Sequence, residues 1–171
     1  MRLAYADPPY VGQAKKHYGR EASFRGEVDH AQLAKRLTTY DGWALSVSSP
    51  SLHVVLPLFP KARIAAWVKP FSIFKPGVNP AYSWEPVIFQ PARSGKERRG
   101  GRQNPTVRDW VAVNITLRKG LVGVKPPDFC FWLFELLGAE AGDSLDDLFP
   151  GTGAVSRAWA SWESAPEQKE E

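Results

Sequence analysis

The sequence predicts a single α/β domain whose strands run mostly parallel, and three observations lead to this fold class. Short apolar runs typical of buried strands alternate with segments of helical periodicity. A chain of 171 residues with 43% hydrophobic and 23% charged residues can build one sizeable core. Two predicted strands end in turns rich in proline or glycine, and open parallel sheets bind ligands at such strand ends.

Five strands and four helical segments are expected. The strands are residues 2–6, 42–49, 62–70, 85–91 and 144–149. The helical segments are residues 28–37, begun by Asp29 as a candidate N-cap, then 50–59, 126–139 and 154–162. Residues 1–163 form the predicted domain, and residues 164–171 form a polar tail.

Charge and cysteine content narrow the function classes. The 22 Lys and Arg residues exceed the 18 Asp and Glu residues, and the isoelectric point is near 9.3. Many of these basic residues fall in a glycine-rich stretch, residues 92–109, which favours an anionic partner. A lone Cys130 and three scattered histidines predict neither disulfides nor a metal site. We see no secretory signal or membrane-spanning run, so we expect a cytoplasmic protein without membrane contact.

The first predicted strand ends in Asp7, Pro8, Pro9 and Tyr10, a group suited to chemistry on an exocyclic amine. Such an amine is a poor nucleophile because its lone pair is delocalised into the ring. The Asp7 carboxylate and the Pro8 carbonyl can each accept one N–H group and so turn the lone pair outward, while Tyr10 stacks on the extruded base. Alone, the four residues fit equally well a strand that ends in an exposed polyproline turn.

The other end of the chain favours the chemical interpretation. A predicted strand ends at Asp147 and leads into a glycine turn before a helix. Glycine allows a backbone to approach a ligand closely, and the amides at a helix start favour polar groups. The turn comprises Asp147, Phe149, Pro150, Gly151, Thr152 and Gly153.

With both motifs in view, the sequence resembles the N6-adenine (amino) DNA methyltransferases, in the permuted order where the catalytic motif precedes the donor motif. The resemblance implies a Rossmann-like methyltransferase fold in a minimal version of about five strands. It implies S-adenosylmethionine as the cofactor, held by the glycine turn. It also implies that Lys125, which precedes a proline and a helix, faces the carboxylate of that donor.

Further residues are predicted to bind the substrate. The resemblance places Lys69 and Glu85 beside the target pocket and, more weakly, assigns Tyr18 to a substrate loop; solvated strand ends are the alternative for the first two. Basic side chains of the glycine-rich stretch can follow phosphates, although a solvated loop has the same composition. These are Arg93, Lys96, Arg98, Arg99 and Arg102.

One departure from the family pattern bears on donor affinity. An acid that bonds the ribose hydroxyls is normally found at the end of a further strand, about 20 residues past the glycines. Glu163 comes too early for this role. We therefore expect weak donor binding, or a dimer or second subunit that covers the exposed sheet edge.

Taken together, the sequence predicts an S-adenosylmethionine-dependent N6-adenine methyltransferase that acts on DNA in preference to RNA. The same chemistry on RNA adenine or on N4 of cytosine is a close alternative. A non-catalytic nucleic-acid-binding subunit that retains the fold is an alternative of a different class.

Overall fold

A mixed six-stranded sheet organises the chain. The structure, a computed structural model, describes residues 1–12, 26–71, 76–93, 106–115 and 124–164. The strands are β1 (Arg2–Ala6), β2 (Gly42–Ser46), β3 (Arg63–Val68), β4 (Trp84–Gln90), β5 (Trp110–Ala112) and β6 (Ser144–Asp147). Their order across the sheet is β5-β3-β4-β2-β1-β6.

One antiparallel strand sets the geometry of the sheet. β1 pairs in parallel with β2 and β6, and β3 pairs in parallel with β5. β4 is inserted between β2 and β3 and is antiparallel to both. The start of β4 therefore lies at the edge where the other strands end, which we call the carboxyl edge. The opposite edge is the amino edge.

Helices cover the two faces of the sheet. They are α1 (His30–Leu37), α2 (Leu52–Val55, flanked by 3-10 turns), α3 (Pro127–Leu137) and α4 (Ala154–Ser164). On one face, α3 and α4 bury Tyr5, Trp67 and Phe89. On the other face, α1 and α2 bury Trp43 and Leu45. Buried apolar side chains on both faces define a three-layer α/β architecture.

Local sequence signals explain where the helices begin and end. The Asp29 carboxylate accepts hydrogen bonds from the amides of Ala31 and Gln32 at 2.9 and 3.0 Å, so α1 begins with an N-cap. Pro127 opens α3, where the missing amide proton costs nothing. Gly138 ends α3 with φ of 72°, a left-handed conformation that glycine adopts without strain.

Ionic and hydrogen-bond contacts hold the amino edge. The Arg93 guanidinium, just past β4, makes a two-point contact with the Asp143 carboxylate and donates to the Gly138 carbonyl at 2.9 Å. These contacts join the end of β4 to the turn between α3 and β6. At the same edge, exposed Pro60 and Lys61 form the turn that leads into β3.

The structure agrees with the predicted fold class and corrects the strand count. All five predicted strands and all four helical segments are present, with ends shifted by a few residues. The sixth strand, β5, follows directly on the charged stretch 92–109, and Val107 in that stretch packs against the core. Helix α4 extends to Ser164, and residues 165–171 of the predicted tail lie outside the described residues. In the part of the chain that is described, no helix is long and apolar enough to cross a membrane.

Candidate active site

The catalytic tetrad predicted from sequence lies where β1 leaves the sheet. The Asp7 side chain is about a quarter exposed (26%). Pro8 is buried, whereas Pro9 and Tyr10 are half-buried. β1 has β2 on one side and β6 on the other, so Asp7 lies one strand in from the β6 end of the carboxyl edge rather than at a free end.

Four charged side chains from separate parts of the chain meet at this edge. The Lys125 ammonium lies 3.2 Å from Asp7 Oδ2 and donates to Glu85 Oε1 at 2.6 Å. Lys69, just past β3, donates to Glu85 Oε2 at 3.0 Å. The result is a continuous chain from Asp7 through Lys125 and Glu85 to Lys69, which we call the charge chain.

Burial makes the charge chain electrostatically strong. The side chains of Lys125 and Glu85 are only 6% and 5% exposed. Burial by itself raises the pKa of Glu85, but Lys125 and Lys69 outweigh it and lower that pKa to about 2. Burial also tends to lower the pKa of Lys125, yet Asp7 and Glu85 raise it well above its usual range. Lys125 is therefore a permanent cation, and Glu85 a permanent anion, at neutral pH.

Asp7 behaves differently from Glu85. Burial raises its pKa to about 6, because the nearby Lys125 only partly offsets the loss of water and the Glu85 anion adds to the rise. Tyr10 is affected in the same direction, since burial and the Glu85 carboxylate raise its pKa well above the usual range. Tyr10 is thus a neutral phenol at neutral pH.

Aromatic rings form the wall behind the two lysines. The Trp67 ring lies 4.4 Å from the Lys69 ammonium and 4.9 Å from that of Lys125, and the Phe129 ring is 5.4 Å from Lys125. These distances are within the range of cation–π attraction. The rings exclude water from one side and fix the lysine ends in place.

The glycine turn predicted to hold the donor lies at the end of β6. The Gly153 amide donates to the Pro150 carbonyl at 2.6 Å, and the Arg157 guanidinium donates to the Thr152 carbonyl at 2.8 Å. Gly151 has φ of 47°, and a Cβ placed there would meet no atom nearer than the Phe149 carbonyl oxygen at 3.9 Å. The turn is closed on itself but leaves open space above Gly151.

Asp147, the last residue of β6, has one carboxylate oxygen without a partner. Its Oδ1 is buried with no hydrogen-bond donor among the described residues, whereas Oδ2 accepts from Ser156 Oγ at 3.4 Å. Burial raises the pKa of Asp147. A buried acceptor without a partner is costly, so this position favours a ligand that brings a hydrogen-bond donor.

The predicted site residues separate into three groups. The tetrad, Lys69, Glu85 and Lys125 come together in the charge chain or beside it. The predicted donor residues begin at Asp147, the last residue of β6, and continue to Gly153 in the turn that follows this strand, which lies next to β1. Arg93 lies at the amino edge and is occupied by Asp143, so its position does not favour contact with a substrate. Tyr18, Lys96, Arg98, Arg99 and Arg102 lie outside the described residues.

The structure gives Lys125 contacts that the sequence resemblance does not indicate. The resemblance directs its ammonium to the donor, but the structure bonds it to Asp7 and Glu85. The sequence also did not indicate that Trp67 belongs to the site, because an apolar residue in a predicted strand indicates only a place in the core. The nearby Lys69 was the available signal, since a lysine two residues along a strand lies on the same face.

Comparisons with known proteins agree with the fold. The sequence matches no protein-family model and no curated protein. The structure is similar to a solved one described as the crystal structure of an M1.HpyAVI-SAM complex, with a TM-score of 0.61 and 12% sequence identity. The match covers 95% of this chain and 78% of that one. The chain therefore has the α/β fold of that protein, with its sheet mostly parallel.

Proposed function

We propose that this protein is an S-adenosylmethionine-dependent N6-adenine methyltransferase that acts on DNA. The charge chain is the observation that carries the proposal. It brings Asp7, the residue required for amine activation, into contact with Lys125 and, through it, with Glu85. Active sites concentrate buried ionisable groups with shifted pKa values in this way.

The residues of the glycine turn fit S-adenosylmethionine. The open space above Gly151 admits a ligand close to the backbone, and the unpartnered Asp147 Oδ1 suits an ammonium or hydroxyl donor, both of which S-adenosylmethionine carries. The resemblance of the sequence to the methyltransferases and the similarity of the fold to M1.HpyAVI in complex with SAM support the same ligand. S-adenosylmethionine supplies a methyl group activated by its sulfonium.

The protein's own part in the reaction is to position the amine. The ionised Asp7 carboxylate accepts one N–H of the target adenine, and the Pro8 carbonyl accepts the other. Lys125 fixes the Asp7 carboxylate, because its ammonium is itself held by Glu85 on the far side. Tyr10 stacks on the base. Catalysis of this kind depends on orientation and fixed electrostatics and needs no covalent intermediate.

Nucleoside analysis after methyl transfer tests the proposal. The protein is incubated with labelled S-adenosylmethionine and with separate pools of DNA and RNA, and the products are digested and separated. We expect label in N6-methyladenine from DNA. Asp7→Ala is expected to lose more than tenfold in rate, equivalent to at least about 1.4 kcal/mol of transition-state stabilisation. Asp128→Ala, which removes an exposed acid from the first turn of α3, is the matched control.

The same experiment decides between the alternatives. Label in RNA adenine or in N4-methylcytosine would show the same chemistry on a different substrate. Binding of nucleic acid without any transfer would indicate a non-catalytic subunit. The burial of charged groups at one edge argues against that outcome. Burial removes water from these charges at a cost in free energy, and a surface that only binds nucleic acid does not require this.

A further inference from the structure

Besides the candidate active site, the carboxyl edge has a separate cleft, which we call the second cleft. It lies on the face of the sheet opposite to Glu85. It has a volume of about 260 Å³ and is lined by Ser49, Gly77, Asn79, Pro80, Tyr82 and Trp84, among others. Side chains alternate between faces along a strand, so Trp84 projects away from its neighbour Glu85. None of the proposed catalytic residues lines this cleft.

The cleft lies close to the position proposed for the target base. Trp84 is the first residue of β4 and directly precedes Glu85 of the charge chain. Ser49 lies in the turn that follows β2, the strand between β4 and β1. Adjacent strands are about 4.8 Å apart, so the ends of β4 and β1 are separated by about 10 Å. This separation exceeds the rise of about 3.4 Å between stacked nucleotides, so both sites can be occupied only by a strand that is unstacked at the target, as extrusion of the target base requires.

The chemistry of the lining suits a nucleobase. Tyr82 and Trp84 are large aromatic residues, yet they are 58% and 41% exposed. Exposed aromatic rings at a sheet edge provide stacking surfaces for unpaired bases. Ser49 and Asn79 add a hydroxyl and an amide that can hydrogen-bond to base edges or to the sugar. The volume is below that of most drug-sized pockets, which agrees with a single nucleotide as the occupant.

We propose that this cleft binds the base adjacent to the target adenine, by stacking on Trp84 and Tyr82. The inference rests on the proposed function, because it takes the neighbouring charge chain as the site of the target base. An enzyme that extrudes its target must hold the strand on either side of it. The cleft holds one such neighbour and so fixes the target in register with Asp7.

Abasic substitution tests the cleft without any requirement for methyl transfer. The probes are single-stranded thymine oligonucleotides with one central adenine, in which the base on the 5′ or the 3′ side of the adenine is removed. For the unmodified protein we expect affinity to fall about fivefold or more for one of the two abasic probes. Trp84→Ala should weaken the intact probe by a similar factor, and the abasic site should then cost nothing further. Trp84→Phe should retain most of the affinity, since it keeps a ring.

Trp110→Ala is the matched control. Trp110 is 45% exposed and projects from the same face as Trp84, because their strand partners Ala66 and Val68 lie two residues apart on β3, but it does not line the cleft. We expect Trp110→Ala to bind both probes like the unmodified protein. Equal losses from Trp84→Ala and Trp110→Ala, or no loss from Trp84→Ala, would overturn the inference.

Two further outcomes are distinguishable. A dimer in sedimentation analysis that Trp84→Ala dissociates would assign the exposed face to protein contact and overturn the inference. Trp84-dependent binding of the intact probe by a protein that methylates neither DNA nor RNA would leave the cleft in place and contradict the proposed function instead.

Discussion

Asp7 and Glu85 both contact Lys125, yet the protein treats their charges in opposite ways. The pKa of Glu85 is lowered from an ordinary value of 4.5 to about 2, so its ionisation stabilises the folded protein at every pH above that range. The pKa of Asp7 is raised from 3.8 to about 6. Protonated Asp7 therefore favours the folded state. This contribution to the free energy of unfolding is fully present below pH 3.8 and is lost as the pH rises through about 6. Ionised Glu85 stabilises the folded protein, whereas ionisation of Asp7 lowers the free energy of unfolding.

This contrast predicts different effects of two isosteric substitutions at pH 8. Glu85→Gln should lower the free energy of unfolding by about 3–5 kcal/mol, because Glu85 pairs with both Lys125 and Lys69 and the attraction of these two cations outweighs the cost of burying its charge. Asp7→Asn should leave the free energy of unfolding unchanged or raise it, since a costly buried anion is removed. Urea denaturation of the two variants and the unmodified protein measures both effects. A loss of stability as large for Asp7→Asn as for Glu85→Gln would contradict the distinction.

The same pKa values predict the pH dependence of the reaction. Only ionised Asp7 offers two acceptor oxygens, so the rate should be constant above about pH 7 and fall about tenfold per pH unit below about pH 6. Glu85 does not titrate in this range, because its pKa is about 2. The measurement is kcat/KM between about pH 5 and pH 8, with circular dichroism at each pH as the control for folding. An unchanged rate at the acidic end of this range would show that the Asp7 charge is not required.

All four members of the charge chain are identifiable from the sequence, but their mutual contacts are not. Asp7 belongs to a motif whose residue types carry a chemical reason, whereas Lys125, Lys69 and Glu85 were assigned by the resemblance to the methyltransferase family. Their pairing depends on β4 running antiparallel, which brings Glu85 to the edge where β1 and β3 end. No local pattern specifies strand direction, so the contacts are a property of the tertiary fold.

At the level of single elements, the glycine turn before α4 uses glycine both for its backbone conformation and for the space that it leaves. Gly151 adopts a left-handed conformation, and the absence of a side chain leaves space for a ligand. We expect Gly151→Val to abolish S-adenosylmethionine binding by filling that space and to lower the free energy of unfolding by about 1–2 kcal/mol through backbone strain. Calorimetric titration measures the binding, and urea denaturation measures the stability.

Gly142 provides the matched control for that substitution. It has φ of 83° in the turn before β6, and a Cβ there would meet no atom within 4 Å. Gly142→Val should cost a similar amount of stability and leave donor binding intact. If both variants lose the donor, the effect of Gly151→Val comes from strain and not from the occupied space.

The basic stretch 92–109 leads to a prediction on salt dependence. Replacing Arg98, Arg99 and Arg102 by alanine should reduce the slope of log K against log salt concentration by about 0.7–0.9 for each phosphate that is no longer neutralised. A control triple of Lys35→Ala, Arg36→Ala and Lys61→Ala removes the same charge from exposed positions that the proposal does not involve. Fluorescence anisotropy at several salt concentrations measures both slopes. Equal slopes for the two triples would show that net charge, and not this stretch, determines binding.

Elements marked by a local sequence pattern could be predicted from the sequence, whereas the existence of β5 could not. Arg2–Ala6 and the N-cap of α1 lie where the pattern predicts them. β5 has three residues, and none of them is buried. It forms because β3 offers a free edge in parallel register, Ala66 opposite Trp110, and that edge exists only in the folded sheet.

The sheet as a whole ends at β6 in the part of the chain that the structure describes. Among the described strands β6 pairs only with β1, and in the methyltransferase family an acid that bonds the ribose hydroxyls normally follows a strand beyond this position. A site in which no acid takes that place lacks a charge-assisted hydrogen bond of about 1.5–3 kcal/mol. We expect the purified chain to bind S-adenosylmethionine about tenfold to a hundredfold more weakly than a site with the acid. A dimer or second subunit that covers β6 should restore the affinity.

Calorimetry combined with sedimentation analysis checks this expectation. The predicted result is weak binding by a monomer, or tight binding that appears together with a dimer as the protein concentration rises. Submicromolar binding by a monodisperse monomer would contradict it and would indicate that another residue holds the ribose.

The residues proposed for the chemistry lie at one edge of the sheet, and an exposed turn at the opposite edge is open to alteration. Every described residue assigned to the charge chain, the glycine turn or the second cleft lies at the carboxyl edge. The exposed Pro60–Lys61 turn is at the amino edge, a full strand length away. Exposed turns of this kind accept inserted domains. A programmable DNA-binding module inserted there would direct the proposed methyltransferase to a chosen sequence without any change to the residues assigned to methyl transfer.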